Sequence, residues 1–255
     1  MLDLSLLQNL GRPVYYYTSI DTTMREAAEL AERGEPSGAL VIADEQTAGR
    51  GRMGRYWISE PESGLYFSLV LRPALGAAEA AVVTLALGLA VGRAIHHSTG
   101  TACDLRWPND VLISGRKCCG ILTEMVAEGG RVRYVIAGIG VNVNHAAMPA
   151  ELGETATSLR IQTGCEYSRE ALLAEILKEA DRYLDVLTDR GPAAVVELFT
   201  RASSYAEGKR VTVWNGAAEM VGSTAGLTAT GTLLLKRDDG TLAPILAGSV
   251  RPVTD

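Results

Sequence analysis

The sequence predicts an α+β protein, with a mixed but largely antiparallel sheet, helices on one face of it, and a small C-terminal β-barrel or sandwich. Three observations lead there. Before about Gly100, β-branched and apolar runs alternate with helical patterns, the texture of a mixed sheet. From Cys103 to Ala137 the strands follow one another through tight turns, which is an antiparallel meander. After about Ala206 no helical pattern remains, so residues 1–206 and 207–255 read as a main domain and a small appended one. Some fifty residues bury too little apolar surface to be comfortable alone, so the appended unit should pack on the first.

Val14 to Tyr17 is β-branched and aromatic and reads as a strand. Asp21-Thr22-Thr23 reads as a helix start, with Asp21 or Thr22 as N-cap, and Gly34 closes that helix. Ala39 to Ala43 and Leu65 to Leu71 are apolar strands, the second ended by Pro73. A helix from Ala77 to His97 contains thirteen uncharged residues between Glu79 and Arg93, too short a stretch to span a bilayer, so it reads as a core helix. Its Gly88 and Gly92, one turn apart, suit close packing. Strands follow at Cys103–Trp107, Val111–Ile113, Lys117–Met125 and Val132–Ala137, with turns at Ser114-Gly115-Arg116 and Glu128-Gly129-Gly130. Ser168 caps an amphipathic helix carrying Leu172, Leu173, Ile176, Leu177, Ala180, Tyr183, Leu184 and Leu187. Gly191-Pro192 breaks it, and a further helix runs toward Tyr205. The last strands are Arg210–Trp214, Gly231–Lys236 and Thr241–Leu246, with turns at Asn215-Gly216 and Asp238-Asp239-Gly240.

With 255 residues, 47% of them hydrophobic, the chain has ample core. Its net charge of −6 argues against non-specific nucleic-acid binding, whose affinity comes largely from neutralising phosphates. Met1-Leu2-Asp3-Leu4-Ser5 lacks the basic start of a signal peptide, and a cytoplasmic location is expected. Cys103, Cys118, Cys119 and Cys165 have no metal-ligand or redox spacing; a redox role for Cys118-Cys119 is the alternative to small buried strand residues.

Against that acidic background, Gly49-Arg50-Gly51-Arg52-Met53-Gly54-Arg55-Tyr56-Trp57 places three glycines and three arginines in seven residues, with no acid. Glycine lets the backbone approach a ligand closely, and arginine supplies forked donors for carboxylates and phosphates. Such a loop suits closure over a small anion. Two further segments stand out: Arg106-Trp107-Pro108-Asn109-Asp110, and Arg116 to Glu124, in which Lys117 opens a strand otherwise fit for burial. A lysine there needs an anion or carboxylate, unless it is an edge-strand residue pointing to water.

Taken in order with Gly138-Ile139-Gly140-Val141-Asn142, these stretches resemble the biotin–protein ligases, in the monofunctional form without an N-terminal DNA-binding domain. Asp21-Thr22-Thr23 and Thr157-Ser158-Leu159 are weaker matches. The resemblance implies a class II aminoacyl-tRNA-synthetase-like catalytic domain and a Src-homology-3-like C-terminal barrel. It implies two steps: biotin and ATP give biotinyl-5′-AMP and pyrophosphate, and a lysine of a biotin carboxyl carrier domain of a carboxylase then takes the biotin. The first step brings like charges together; at ~4 Å they repel by ~4 kcal/mol at an effective dielectric of about 20. Cations must offset this, and the resemblance supplies Lys117, Arg50 and Arg52 as catalytic groups, with Mg²⁺.

By the same resemblance, biotin is held by Asp21, Thr22, Thr23, Gln46, Gly49, Arg50, Arg52, Lys117, Gly120, Ile121, Gly138 and Gly140. ATP and adenylate fall to Arg52, Arg55, Trp57, Asn109, Asp110, Lys117 and Asn142. Trp57 either anchors the far end of the loop or stacks on ligand. Metal ligands are not assigned. Arg106 stands where many relatives carry lysine, Met24 where asparagine is frequent, and Ser249 where the glutamate of a C-terminal Gly-Glu pair is usual. His96 and His97 read as capping or surface residues. The rival readings are a lipoate–protein ligase, a biotin-sensing repressor, for which the strand at Val14 leaves no room, and a binding protein whose arginine loop merely docks a partner. The acceptor and the small molecules biotin and ATP are the expected partners, without DNA or membrane, and the sheet edges suit a monomer or weak homodimer.

Overall fold

Two sheets organise the chain in the computed structural model, which describes residues 11–253 together with Leu2, Asp3 and Ser5. The first sheet contains β1 (Val14–Ile20), β2 (Leu40–Gln46), β3 (Gly64–Leu71), β4 (Asp104–Arg106), β5 (Asp110–Ile113), β6 (Arg116–Glu128) and β7 (Arg131–Asn142), in the order β1-β2-β3-β7-β6-β5-β4. Only β1 and β2 are parallel, because the helix α1 (Thr23–Glu32) carries the chain back between them. The other neighbours are antiparallel. β7 continues five residues past Ala137, the end the sequence suggests, through Gly138 and Gly140 to Asn142, paired with both β3 and β6.

Thr22 caps α1, its side chain accepting from the Met24 N–H, and Gly34 follows with φ of 92°. The apolar stripe of α1 (Met24, Ala27, Leu30, Ala31) packs on Val41, Val70, Tyr134 and Ile136. The alternate residues Leu40, Ile42, Leu65, Phe67 and Leu69 face the opposite core, with α2 (Ala81–Thr99), α4 (Arg169–Arg190) and α5 (Pro192–Ala202). The helices therefore cover both faces, not one, because β2 and β3 are apolar on both sides of the pleat. A short helix, α3 (Leu159–Thr163), capped by Ser158, has too few residues to show a period in sequence.

α2 is apolar enough along its length to cross a membrane, yet most of it is buried inside the molecule. A separate 3₁₀ turn at Ala77–Glu79 precedes it, where the sequence suggests one continuous helix. Its Gly88 faces the Phe199 ring of α5, and its Gly92 faces Cys103 and Leu105 at ordinary contact distance.

The second sheet contains β8 (Glu207–Trp214), β9 (Glu219–Leu227), β10 (Leu233–Lys236), β11 (Leu242–Ile245) and β12 (Ser249–Pro252), antiparallel in the order β11-β10-β9-β8-β12. The sequence does not single out β9: it holds two glycines and only scattered apolar residues. Gly222 of β9 is needed where a Cβ would come within 2.5 Å of the Lys236 carbonyl. Val211, Val213, Leu233, Leu235, Ile245 and Val250 join the same apolar cluster as the main core. The Trp107 indole N–H donates to the Gly231 carbonyl at 2.9 Å, tying this sheet to the loop between β4 and β5.

Candidate active site

On the sheet face that carries α1, beyond the helix N-terminus, the strands are bare. Gly138, Gly140 and Asn142 alternate on β7, with Gly120 of β6 directly opposite Gly140. A Cβ on Gly140 would lie 2.3 Å from the Trp57 indole, one on Gly120 2.8 Å from the Lys117 side chain, and one on Gly138 2.7 Å from Met24 Sδ. These glycines leave a flat floor under a cavity of about 850 Å³. Walls come from the arginine loop, the segment after β7, the Arg106–Asp110 turn and β12.

The arginine loop is a small hairpin. The Trp57 N–H donates to the Gly49 carbonyl at 3.0 Å and the Gly51 N–H to the Arg55 carbonyl at 2.7 Å, with Arg50 bridged to Tyr56. Met53 turns the tip in the left-handed region, at φ of 57°. Trp57 points inward onto the glycine floor, with the Lys117 ammonium 5.4 Å from its ring centre. Its indole nitrogen is buried with no hydrogen-bond partner among the described residues. Arg52 also points inward: its Nη1 donates to Asn109 Oδ1 at 3.1 Å and to the Gly248 carbonyl at 2.9 Å. A backbone carbonyl thus meets the loop from the second sheet, beside Ser249. Arg50 and Arg55 are exposed on the rim.

The floor's charged centre is Asp110, at the start of β5. Arg106 reaches its Oδ2 through Nη2 at 2.8 Å and Nε at 3.3 Å, and Lys117 Nζ sits 2.6 Å from Oδ1. Burial raises the Asp110 carboxyl, but Lys117 and Arg106 outweigh it and hold the group below the ordinary carboxylate value. Lys117 is therefore no solvent-facing edge lysine. Its backbone pairs with the segment after β7, donating to the Thr155 carbonyl and accepting from the Thr157 N–H. Asn109 is spent at both ends, its Nδ2 donating to the Ile121 carbonyl at 2.8 Å.

A polar pocket lies at the α1 end. Gln46 Oε1 accepts from the Thr23 N–H at 2.9 Å and the Thr23 hydroxyl at 3.1 Å, while Thr23 Oγ1 also meets Ser68 Oγ at 2.8 Å. Gln46 Nε2 turns to Ser59. Met24 supplies the thioether over Gly138, so this end mixes polar and apolar groups.

The cavity brings together Thr22, Thr23, Gln46, Arg50, Arg52, Arg55, Trp57, Asn109, Asp110, Lys117, Gly120, Ile121, Gly138, Gly140 and Asn142. Two expected residues are not in its lining. Asp21 Oδ1 accepts from the Thr22 N–H, and the carboxylate pairs with Arg25, one turn along α1. Gly49 lies behind the loop, where a Cβ would meet the Trp57 carbonyl at 2.6 Å. Asn142 lines the cavity but spends its amide on the Thr157 carbonyl at 2.9 Å. Sequence reasoning misses Met148, Leu152 and Ala156, and the stretch from Ser249 to Pro252. None carries a motif; only folding places them on the wall. It also leaves His145 without a part, yet this residue is 3% exposed at the cavity edge, with Nε2 3.3 Å from the Tyr66 hydroxyl.

Few donors of this cavity are free for a magnesium ion. Asp110 Oδ2 and both ends of the Asn109 amide are committed, and Asp110 Oδ1, which accepts no hydrogen bond among the described residues, is ion-paired to Lys117, so the floor offers at most one carboxylate oxygen and no prepared carboxylate cage. Mg²⁺ commonly keeps waters and binds through substrate phosphates with few protein ligands, a mode this cavity admits. Among the described residues, three potential metal ligands converge only at His97, Glu175 and Glu179, which belong to α2 and α4. Arg93, Arg182 and Lys178 already balance that cluster. Cys118 and Cys119 are fully buried, and burial raises both thiols, so neither is a ready nucleophile.

A glycine floor, an arginine hairpin above it and a lysine between them define a ligase-type cavity, one that can hold a carboxylate and phosphates side by side. Residues 16–142 match the Biotin/lipoate A/B protein ligase family. The bifunctional ligase/repressor BirA of Bacillus subtilis is 40% identical over 238 residues, covering 91% of this chain and 71% of that protein. The biotin–[acetyl-CoA-carboxylase] ligase of Paracoccus denitrificans is 36% identical over 225 residues, covering 86% of this chain and 92% of that one. A biotin protein ligase from Aquifex aeolicus, solved in complex with biotin and ATP, superposes with a TM-score of 0.80 at 30% identity, covering 94% of this chain and 99% of that one. The chain belongs to the biotin/lipoate A/B protein ligase family.

Proposed function

We propose that this chain is an ATP-dependent biotin–protein ligase, working through biotinyl-5′-AMP. The observation that carries the reading is the convergence of Lys117, Arg52 and Trp57 over the Gly120–Gly140 floor. Family membership and the named relatives support it. Thr23 and Gln46 meet the ureido ring with hydroxyl and amide groups, and Met24 lies against the apolar part of the ligand. The carboxylate then points along the glycine floor toward Lys117. The five residues of β7 from Gly138 to Asn142 span roughly 13 Å, room for biotin and the start of a nucleotide.

In the first step a carboxylate oxygen attacks the α-phosphorus. The new C(O)O–P bond forms as the α–β P–O bond breaks, and pyrophosphate leaves. Lys117 and Arg52 offset the charge that gathers on the phosphoryl oxygens. Magnesium, arriving with ATP, supplies further charge neutralisation on the phosphates. In the second step the amine of a carrier-domain lysine attacks the carbonyl carbon; AMP leaves, and the amine loses a proton as the amide forms. The hairpin shields the mixed anhydride from water between the steps. Residues 1–206 carry the chemistry, and 207–255 close one wall of the cavity. The acceptor is the biotin carboxyl carrier domain of a carboxylase.

The test is transfer of labelled biotin to an isolated carrier domain, with ATP and Mg²⁺ omitted in turn, beside pyrophosphate–ATP exchange driven by biotin or by lipoate. Biotin-dependent exchange and transfer are expected. Exchange with lipoate alone would sink the biotin assignment.

A further inference from the structure

Asp110 has two cations where one would neutralise it. Arg106 forks onto Oδ2, leaving Oδ1 to Lys117. The arrangement is held from behind: the Arg106 guanidinium lies 6.0 Å from the Tyr205 ring centre, and Tyr205 is buried at the joint between α5 and β8. A planar guanidinium can fork to a carboxylate and stack on a ring together, which an ammonium cannot. Among the described residues, the Arg106 side chain has no other hydrogen-bond or ion-pair partner.

Adenylation asks Lys117 to meet the reacting carboxylate and phosphate, so its ammonium must let go of Asp110. Abandoning a largely buried carboxylate is costly unless another charge stays on it. Resting on the adenylation reading above, we propose that Arg106 is a positioning residue: it keeps Asp110 compensated while Lys117 moves from Asp110 to the reacting groups. Arg106 need not touch ATP. Its partner Asp110 acts as a docking point for Lys117, and the Arg106 fork makes that docking reversible.

Without Arg106, Lys117 becomes the one cation in direct contact with Asp110 among the described residues and is held there. The expected signature is a loss of turnover, relieved when the carboxylate itself is removed. In biotin-dependent pyrophosphate–ATP exchange, Arg106→Gln should lower saturated turnover about 30-fold, equivalent to ~2 kcal/mol, with the KM for biotin within about twofold of wild type. Adding Asp110→Asn should recover about tenfold over Arg106→Gln, a non-additivity that marks direct coupling. Arg106→Lys keeps the charge but loses the fork, and should fall between wild type and Arg106→Gln. It also gives the readout if Arg106→Gln fails to fold. A double variant no faster than Arg106→Gln overturns the proposal, as does a rise in the KM for ATP at unchanged turnover, which would put Arg106 on the nucleotide. Arg106→Lys with full wild-type turnover overturns it too. A wild-type chain that shows no exchange with biotin would instead remove the adenylation reading.

Discussion

Lys117 and His145 each make a cavity side chain testable on its own. Lys117 sits between Asp110 and the Trp57 ring, facing the centre of the cavity. Lys117→Ala should reduce biotin-dependent exchange by at least ~10²-fold, the scale of one preorganised charge donor. Arg106 still compensates Asp110 in that variant, so the melting temperature should drop by no more than ~4 °C. Near-normal exchange in a folded Lys117→Ala protein would take Lys117 out of the chemistry. At His145, burial lowers the imidazole below the ordinary value of about 6.5, with Glu60 opposing. As pH falls through about 6.5 the unfolded chain takes up the proton first, so stability drops from there toward the lower folded-state value. Above that window the contribution is complete. Urea midpoints at neutral and mildly acidic pH should show this loss in wild type and a smaller one in His145→Phe; equal losses would rule it out.

The arginine hairpin is the element on which the site depends most. Its backbone bonds set the hairpin, but Arg52 alone ties it to both the Asn109 turn and the second sheet. Arg52→Ala removes both ties at once. Hydrogen bonds to charged groups contribute ~1.5–3 kcal/mol, so ligand affinity should weaken by roughly 10- to 100-fold. The freed hairpin should also be cut faster by trypsin at Arg50 and Arg55, and should release adenylate into solution. A variant that neither leaks adenylate nor gains protease sensitivity would show that the hairpin is not a lid. The sequence makes the hairpin's composition plain, since glycine and arginine in that pattern suit an anion. It does not make the floor plain: Gly120 and Gly140 lie twenty residues apart, and only the β6–β7 register sets them opposite each other beneath Trp57.

Across the whole molecule, one apolar cluster runs through both sheets. The second sheet is therefore part of the folding unit, although its strands pair only among themselves. Its polar attachments are few and specific, chiefly Trp107 to Gly231 and Arg52 to Gly248. Trp107→Phe keeps most of the buried ring but leaves the Gly231 carbonyl without that donor. It should cost ~1–3 kcal/mol and still unfold in a single calorimetric transition. Two separate transitions would mean that the second sheet folds independently.

By itself the sequence determined most of the strands and the long helices, though not β9 or β12, together with the α+β class and the ordered set of glycine, arginine and lysine motifs. These follow from local period, capping and turn chemistry, which act over a few residues. The tertiary structure decided that α1 covers the second face of the sheet, that Asp21 pairs with Arg25 instead of lining the cavity, and that Met24, His145 and the stretch from Ser249 to Pro252 stand at its wall. It also decided that Lys117 and Arg106 share one carboxylate. Such pairings depend on strand register and on which faces are buried, and those are settled between distant segments when the core closes.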